Sequence, residues 1–351
     1  MRSPCHHTAP IALILILVFA ISAIEAAPLD PAAIPEDTKW LLHFDMEKAR
    51  SWELMQKWQS EMENKAWYQD KVEEMVETYG WNPVEDLLGL SMYDSEYARH
   101  NGVLALHVRN INAEKIAAQF KKEHPEAKTE KYRNYFISTW TDASPYRGEH
   151  AVSGCLASDN LMLIASDATK IQKTLDVLDG ESTALSDSSA LLDTFNREAI
   201  LACRAIDVPD GYQEKTRCPV LARCRTATMF FNVDDNLMQL KYDLEANNEE
   251  LASKMKGAVS GMHAMMGMQV GKNPQAKQML EAATIERDGN HLLITWQADS
   301  DKFAEVMKSM KKMKGWSGKK WSSKKWKRGK EGSADEEADE KDDDWIKNFK
   351  L

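Results

Sequence analysis

Thr38-Lys39-Trp40-Leu41-Leu42-His43-Phe44-Asp45 reads as a short strand that runs into a helix, and the fold turns on whether the chain repeats it. Thr226 to Asp234 (TATMFFNVD) reads the same way, 189 positions later when Phe44 is set against Val233. After the first stretch, Trp52, Met55, Trp58, Met62, Val72, Met75, Val76 and Tyr79 recur at three- and four-residue steps and stop at Gly80, as one face of a helix requires. After the second, Leu237, Leu240, Leu244 and Leu251 predict a helix in the equivalent place. Each half then predicts a strand, a polar turn, a strand and a short helix. In the first half these are Leu88 to Tyr93, the turn at Asn101-Gly102, Val103 to Val108, and Ala113 to Lys122. In the second they are Ala283 to Arg287, the turn at Asp288-Gly289, His291 to Gln297, and Asp301 to Lys312. Lys115-Ile116 matches Lys302-Phe303 at an offset of 187. One offset held within two residues over three stretches predicts a tandem duplication.

Between the halves, Tyr132 to Thr141, His150 to Ala157 and Leu161 to Ser166 alternate as an antiparallel meander does. A helix is expected from Thr169 to Leu178, a second from Ser189 to Arg197, and a strand from Ile200 to Ile206. Hairpin-linked strands with amphipathic helices between groups predict an α+β fold, an antiparallel sheet covered on one face by helices that bury Phe230, Leu292, Ile294 and Trp296. The expected division is a signal peptide (1–26), a Pro-rich linker (27–37) and a first unit with the meander (38–180). A connecting helix (181–198), a second unit (199–313) and a charged, disordered tail (314–351) follow.

The stretch Trp40 to Asp45, the turn Gly80-Trp81-Asn82-Pro83-Val84-Glu85-Asp86-Leu87 and the helix start at Ser166-Asp167 resemble an uncharacterised family of exported proteins from planctomycete-type bacteria. The resemblance spans about residues 38–310. It implies export and an α+β repeat, and it brings no catalytic residues to carry over.

The N-terminus points to the same compartment. Arg2 precedes the apolar run Ile11 to Ile24, whose 14 residues fall short of the ~20 a membrane-spanning helix needs. Small residues follow, with cleavage expected after Ala26, so the run predicts a secretory signal peptide and an exported, water-soluble mature protein, periplasmic or extracellular. Cys155, Cys203, Cys218 and Cys224 lie beyond it. They allow two disulfides, Cys218 with Cys224 across a Pro219 turn and Cys155 with Cys203 across strands, or four buried thiols. The net charge of −10 hides an imbalance: residues 308–351 carry +5, leaving −15 for residues 27–307. A body so acidic repels nucleic acid.

Enzyme signatures are missing from the sequence. There is no GxSxG, HExxH, GxxxxGK[ST] or GxGxxG, and no cofactor is expected. The histidines after the signal (His43, His100, His107, His124, His150, His263 and His291) form no HxH or HxxxH pair. Asp234-Asp235 reads as helix N-terminal carboxylates favoured by the helix dipole. Met262, His263, Met265, Met266 and Met268, with Met255 upstream, raise the one metal hypothesis, because thioethers and an imidazole suit Cu(I). The i, i+3, i+4 spacing of Met262, Met265 and Met266 is equally that of a core-facing stripe, and the stripe is the expectation.

The tail carries the strongest local pattern. Lys308 to Lys330 holds 11 basic residues and no acid, and Trp316, Trp321 and Trp326 recur every five residues among Lys319, Lys320, Lys324, Lys325, Lys327 and Arg328. Cations attract from a distance, and indoles settle at membrane interfaces or on rings. Glu331 to Asp344 holds nine acids and one Lys, so the two blocks can also neutralise each other. The expectation is a non-enzymatic exported binding or structural module whose partner is an envelope or matrix component, with the tail on an anionic polymer or membrane surface. The competing expectation is a secreted, hydrolase-like enzyme with a site assembled only in three dimensions.

Overall fold

A computed structural model describes residues 29–98, 101–144, 148–209, 220, 223–270 and 273–312. The elements run β1 (Trp40–Asp45), α1 (Met46–Ser51), α2 (Glu53–Glu63), α3 (Ala66–Tyr79), β2 (Leu87–Asp94), β3 (Val103–Val108), α4 (Ala113–Glu123), β4 (Lys128–Tyr132), β5 (Tyr135–Ser144) and β6 (Gly148–Ser158). They continue with β7 (Leu161–Ala165), α5 (Ala168–Leu178), β8 (Leu201–Ala205), β9 (Cys224–Asp234), β10 (Leu237–Ala246), α6 (Glu249–Val270), α7 (Pro274–Glu281), β11 (Ala283–Asp288), β12 (His291–Asp299) and α8 (Ser300–Lys312). Among the described residues the strands form one antiparallel sheet in the order β11-β12-β10-β9-β8-β1-β2-β3-β7-β6-β5-β4. The α+β class is as the sequence predicts.

β1 sits mid-sheet with an apolar residue packed on each of its sides. Leu41 faces one side, where it packs with Tyr93, Ile171 and Leu175. Phe44 faces the other, with Met46, Leu90 and Trp81. The strand pairs β2 (Leu41 opposite Tyr93) and β8 (Leu42 opposite Cys203), and the β1–β8 pairing is the seam between two groups of strands. Asp45 ends the strand and caps α1 by accepting the Lys48 backbone N–H at 2.9 Å.

Strand alternation assigns each helix a side of the sheet. On the Leu41 side, α5 and the turn Pro31–Ala33 cover β1, β2, β3, β7 and β6, together with Leu191, Leu192 and Phe195. On the Phe44 side, α1 to α3 lie over the seam through Ala49, Tyr68, Met55 and Val72. On that same side α4 stacks Phe120 against Trp140 of β5 (4.9 Å between rings), and α6 packs Ala252 and Met255 on Leu244 and Leu292. The first group of strands is therefore covered on both faces, not one. The helices that touch β10, β11 and β12 all lie on the Phe44 side.

Other expectations also need correction. Residues 237–246 are strand, not helix, and the helix begins only at Glu249. The leucines at 237, 240 and 244 mimic helical spacing, but the set that packs is Met238, Tyr242, Leu244 and Ala246, at period two, between β9 and β12. Asp234 and Asp235 therefore do not start a helix. Asp235 and Asn236 are the two residues of a hairpin turn with positive φ (44° and 65°), which is the twist such hairpins favour. Residues 189–197 form turns rather than a connecting helix, and their leucines and Phe195 plug the core. Phe230, Ile294 and Trp296 are half-buried, and only Leu292 is fully enclosed. Cys155 on β6 and Cys203 on β8 are free thiols. Five strand spacings separate them, about 24 Å, so no bridge joins them. Cys218 lies outside the described residues, and Cys224 is buried with its Sγ 3.4 Å from the Val220 carbonyl. The signal peptide and the whole 314–351 tail also lie outside the described residues.

Candidate functional site

A hollow of about 190 Å³ opens between β2, α5 and the segment Pro35 to Thr38. Its charges are matched inside the chain. Lys170 Nζ donates to both oxygens of the buried Asp94 at 2.8 Å and lies 3.7 Å from Glu96, and Lys173 pairs with Asp37. Tyr93 and Thr174 share a hydrogen bond of 3.1 Å in its floor, where burial raises the Tyr93 phenol far above its ordinary value. The pairs bolt α5 to the sheet. They present no unengaged acid beside an unengaged base, which proton transfer to a substrate requires.

A second cluster lies deeper on the same face. His43 Nδ1 is 2.9 Å from Ser91 Oγ on the neighbouring strand, both residues fully buried, and His107 sits beyond Ser91 under Asp30. Desolvation holds the His107 imidazole below its ordinary value, with Asp30 pulling it back up. The free space here is about 10 Å³, enough for one water and no substrate, and the Pro31–Ala33 turn closes it. A serine beside an imidazole has the composition of a nucleophile and base, but no reacting group reaches it in this structure. No single-sequence signal joins His43 to Ser91, because only the β1–β2 register brings them together.

The methionine cluster divides in two. Met255 is completely buried on the sheet, whereas Met262, Met265, Met266 and Met268 are 44, 54, 53 and 76% exposed on the C-terminal half of α6. The core-stripe expectation, made for Met262, Met265 and Met266, therefore fails at all three. His263 Nε2 donates to the Leu280 carbonyl of α7 at 2.9 Å, tying the two helices together. Among the described residues no three His, Cys, Asp or Glu side chains gather as a metal would need. The four exposed thioethers form a surface. The signal for it was present in the sequence: Gly257 to Val270 has no charged residue in a chain that is 28% charged.

The tail residues Trp316, Lys319, Lys320, Trp321, Lys324, Lys325, Trp326, Lys327 and Arg328 lie outside the described residues. Their point of departure is visible. α8 leads to Lys312, and Asn273, the cap of α7, donates to Ser309 of α8 at 2.9 Å. The basic segment thus leaves from the end of the molecule that carries the exposed methionines.

These features define an α+β protein built on one broad antiparallel sheet, with an apolar helix end near the point where α8 stops. Among the described residues no helix is long and apolar enough to cross a membrane. No protein-family model and no curated protein matches the chain. Three solved structures, crystal forms III, I and IV of the treponemal protein TP0453, are similar at 13, 12 and 10% identity. Each comparison covers 81% of this chain and 99, 98 and 97% of the other, with TM-scores of 0.45, 0.41 and 0.40. A likeness this distant carries no argument about function.

Proposed function

We propose that the chain is an exported, non-enzymatic binding module of the cell envelope whose Lys/Trp tail holds it to an anionic surface. The observation that carries this reading is the side of β10, β12 and β11 opposite the helices that pack on them among the described residues. There Lys241, Asp243, Thr295, Thr284 and Glu286 stand in rows on a rigid sheet, opposite the face that α6, α7 and α8 occupy. A broad polar sheet face suits recognition of an extended partner, whereas small-molecule chemistry calls for a concave pocket. The strand orders also support descent of the halves from one unit, in a different phase from the sequence alignment. In β1-β2-β3-β7 and β8-β9-β10-β12 alike, a hairpin lies beside the seam, a helix follows, and a later strand returns next to the hairpin before α5 or α8 departs.

The test compares the full chain with a chain ending at Lys314 for partition onto anionic envelope fractions. The expected result is a loss of at least about tenfold on truncation, with a steep salt dependence in the full chain. Equal partition of the two chains overturns the reading. The enzyme reading rests on the Ser91–His43 pair, and a serine-directed fluorophosphonate that labels Ser91 in the folded chain would replace the binding module with a hydrolase.

A further inference from the structure

We infer that the C-terminal half of α6 is a lipid-inserting element, and that the surface taken up by the tail is an anionic bilayer. This inference deepens the tail reading above and rests on it. Exported chains seldom leave four large thioethers in water without a use, since contiguous exposed apolar surface marks a place where something binds. Met262, Met265, Met266 and Met268 share their stretch of helix with exposed Gly257, Gly261 and Ala264, so the surface is apolar around much of the helix. The half that reaches the sheet is held there by Ala252 and Met255, and the other half is tied to α7 through His263 and the Leu280 carbonyl.

Charge decides what occupies this surface. No acid occurs between Glu250 and Glu281, although residues 27–307 carry −15 overall. The Asn273–Ser309 bond fixes α8 beside the end of α6, and Trp316 follows Lys312 by four residues, a reach of at most about 14 Å. The exposed thioethers and the end of α8, from which the Lys/Trp sequence continues, therefore lie at one end of an otherwise acidic molecule. Apolar insertion, attraction to anionic headgroups and interfacial indoles are the three contributions that hold a helix in the plane of a bilayer. A second copy of the chain would bring the same basic end against this one, and like charges oppose that pairing. An anionic polymer would satisfy the lysines but leave the thioethers in water.

The experiment exposes the full chain to dilute hydrogen peroxide and measures sulfoxide formation at each methionine by mass spectrometry. It is run alone, with vesicles of phosphatidylcholine and phosphatidylglycerol, with pure phosphatidylcholine vesicles, and with heparin as a soluble polyanion. Burial in lipid is expected to slow oxidation at Met262, Met265, Met266 and Met268 at least about fivefold on the anionic vesicles alone. A companion variant, M262Q/M265Q/M266Q/M268Q, changes only exposed positions. It is expected to keep low-salt binding but to lose more than about tenfold of the binding that survives 0.5 M salt, where Coulomb attraction is screened. Vesicle binding without methionine protection, or protection by heparin equal to that by vesicles, overturns the inference and leaves the tail reading standing. Unchanged binding after truncation at Lys314 removes the tail reading instead. Methionines protected in the free chain, with a dimer in sedimentation that the variant abolishes, would make the patch an interface between copies and also overturn the inference.

Discussion

Lys170 holds both oxygens of Asp94, and the pair is mostly withdrawn from water. Removing one partner leaves the other buried and uncompensated, so K170M is expected to destabilise the fold by about 3 kcal/mol, while D94N/K170M together costs less than either change alone. Urea unfolding of the double-mutant cycle measures it. Burial pushes both Cys155 and Cys203 up to about 11. Thiolates are therefore scarce at neutral pH, and iodoacetamide is expected to modify neither in the native protein and both in urea. Mass spectrometry that found the two joined would contradict the strand order. His107 supplies a pH dependence. Its folded value lies below the ordinary 6.5, so as pH falls the unfolded chain takes up the proton first. The stability tied to the neutral ring is complete above about pH 6.5 and is lost as pH falls toward the lowered folded value. H107Q is expected to flatten the fall in stability between pH 7 and the lowered value; an unchanged slope would place the titration elsewhere.

At the scale of elements, what was legible followed local rules. The runs that became β2, β3 and α4, and those that became β11, β12 and α8, carry a turn signal between strands and an amphipathic helix behind, and each appears where expected. β10 was misread because Leu237, Leu240 and Leu244 satisfy the helical period while Met238, Leu240, Tyr242, Leu244 and Ala246 satisfy the strand period. Such a conflict is settled by the neighbours β9 and β12, which a single sequence does not reveal. The exposed methionines were misread for a related reason: spacing states that they share a helix, not whether a sheet lies beneath that part of it. Gly80 shows a local rule with a long-range partner. It ends α3 at φ 77°, and a Cβ there would meet Asn112, the cap of α4, at 2.8 Å. G80A is expected to cost about 1–2 kcal/mol from the backbone alone, with the clash against Asn112 in addition. Thermal unfolding of G80A in the parent and in an N112G/K115A background separates the two, since those changes remove the Asn112 Cβ and Lys115 Cδ atoms that a new Cβ would meet, while a pure backbone effect is the same in either background.

For the whole molecule, the question is whether the two groups of strands unfold as one. Their sheet contact is the β1–β8 seam, five paired positions from Trp40–Ala205 to Phe44–Leu201. Helices from the first group bridge it. Trp52 stacks on Phe231 of β9 at 5.7 Å, its Nε1 donates to Ser300 at the start of α8 at 2.9 Å, and Lys57 reaches Asp301 at 3.0 Å. The exposed Lys57–Asp301 pair contributes little, because water screens it. The Trp52 ring contributes more, through apolar contact and an indole bond to a fully buried hydroxyl. A continuous sheet clasped by α2 should unfold in a single calorimetric transition with matching van't Hoff enthalpy. W52A opens a cavity between α2 and β9 and takes away the bond that the Ser300 hydroxyl accepts, leaving the one it donates to the Asn236 carbonyl. The expected loss is about 2–4 kcal/mol, below the full range for a buried Trp because the ring is half-exposed. The sharper expectation concerns cooperativity: with the Trp52 contacts gone, the seam and the remaining contacts of Ala49, Tyr68 and Val72 must join the groups, and the transition should broaden or divide. Two transitions already present in the parent chain would mean that the strand groups are separate folding units; a single sharp transition in W52A would mean that the seam and those remaining contacts are sufficient without Trp52.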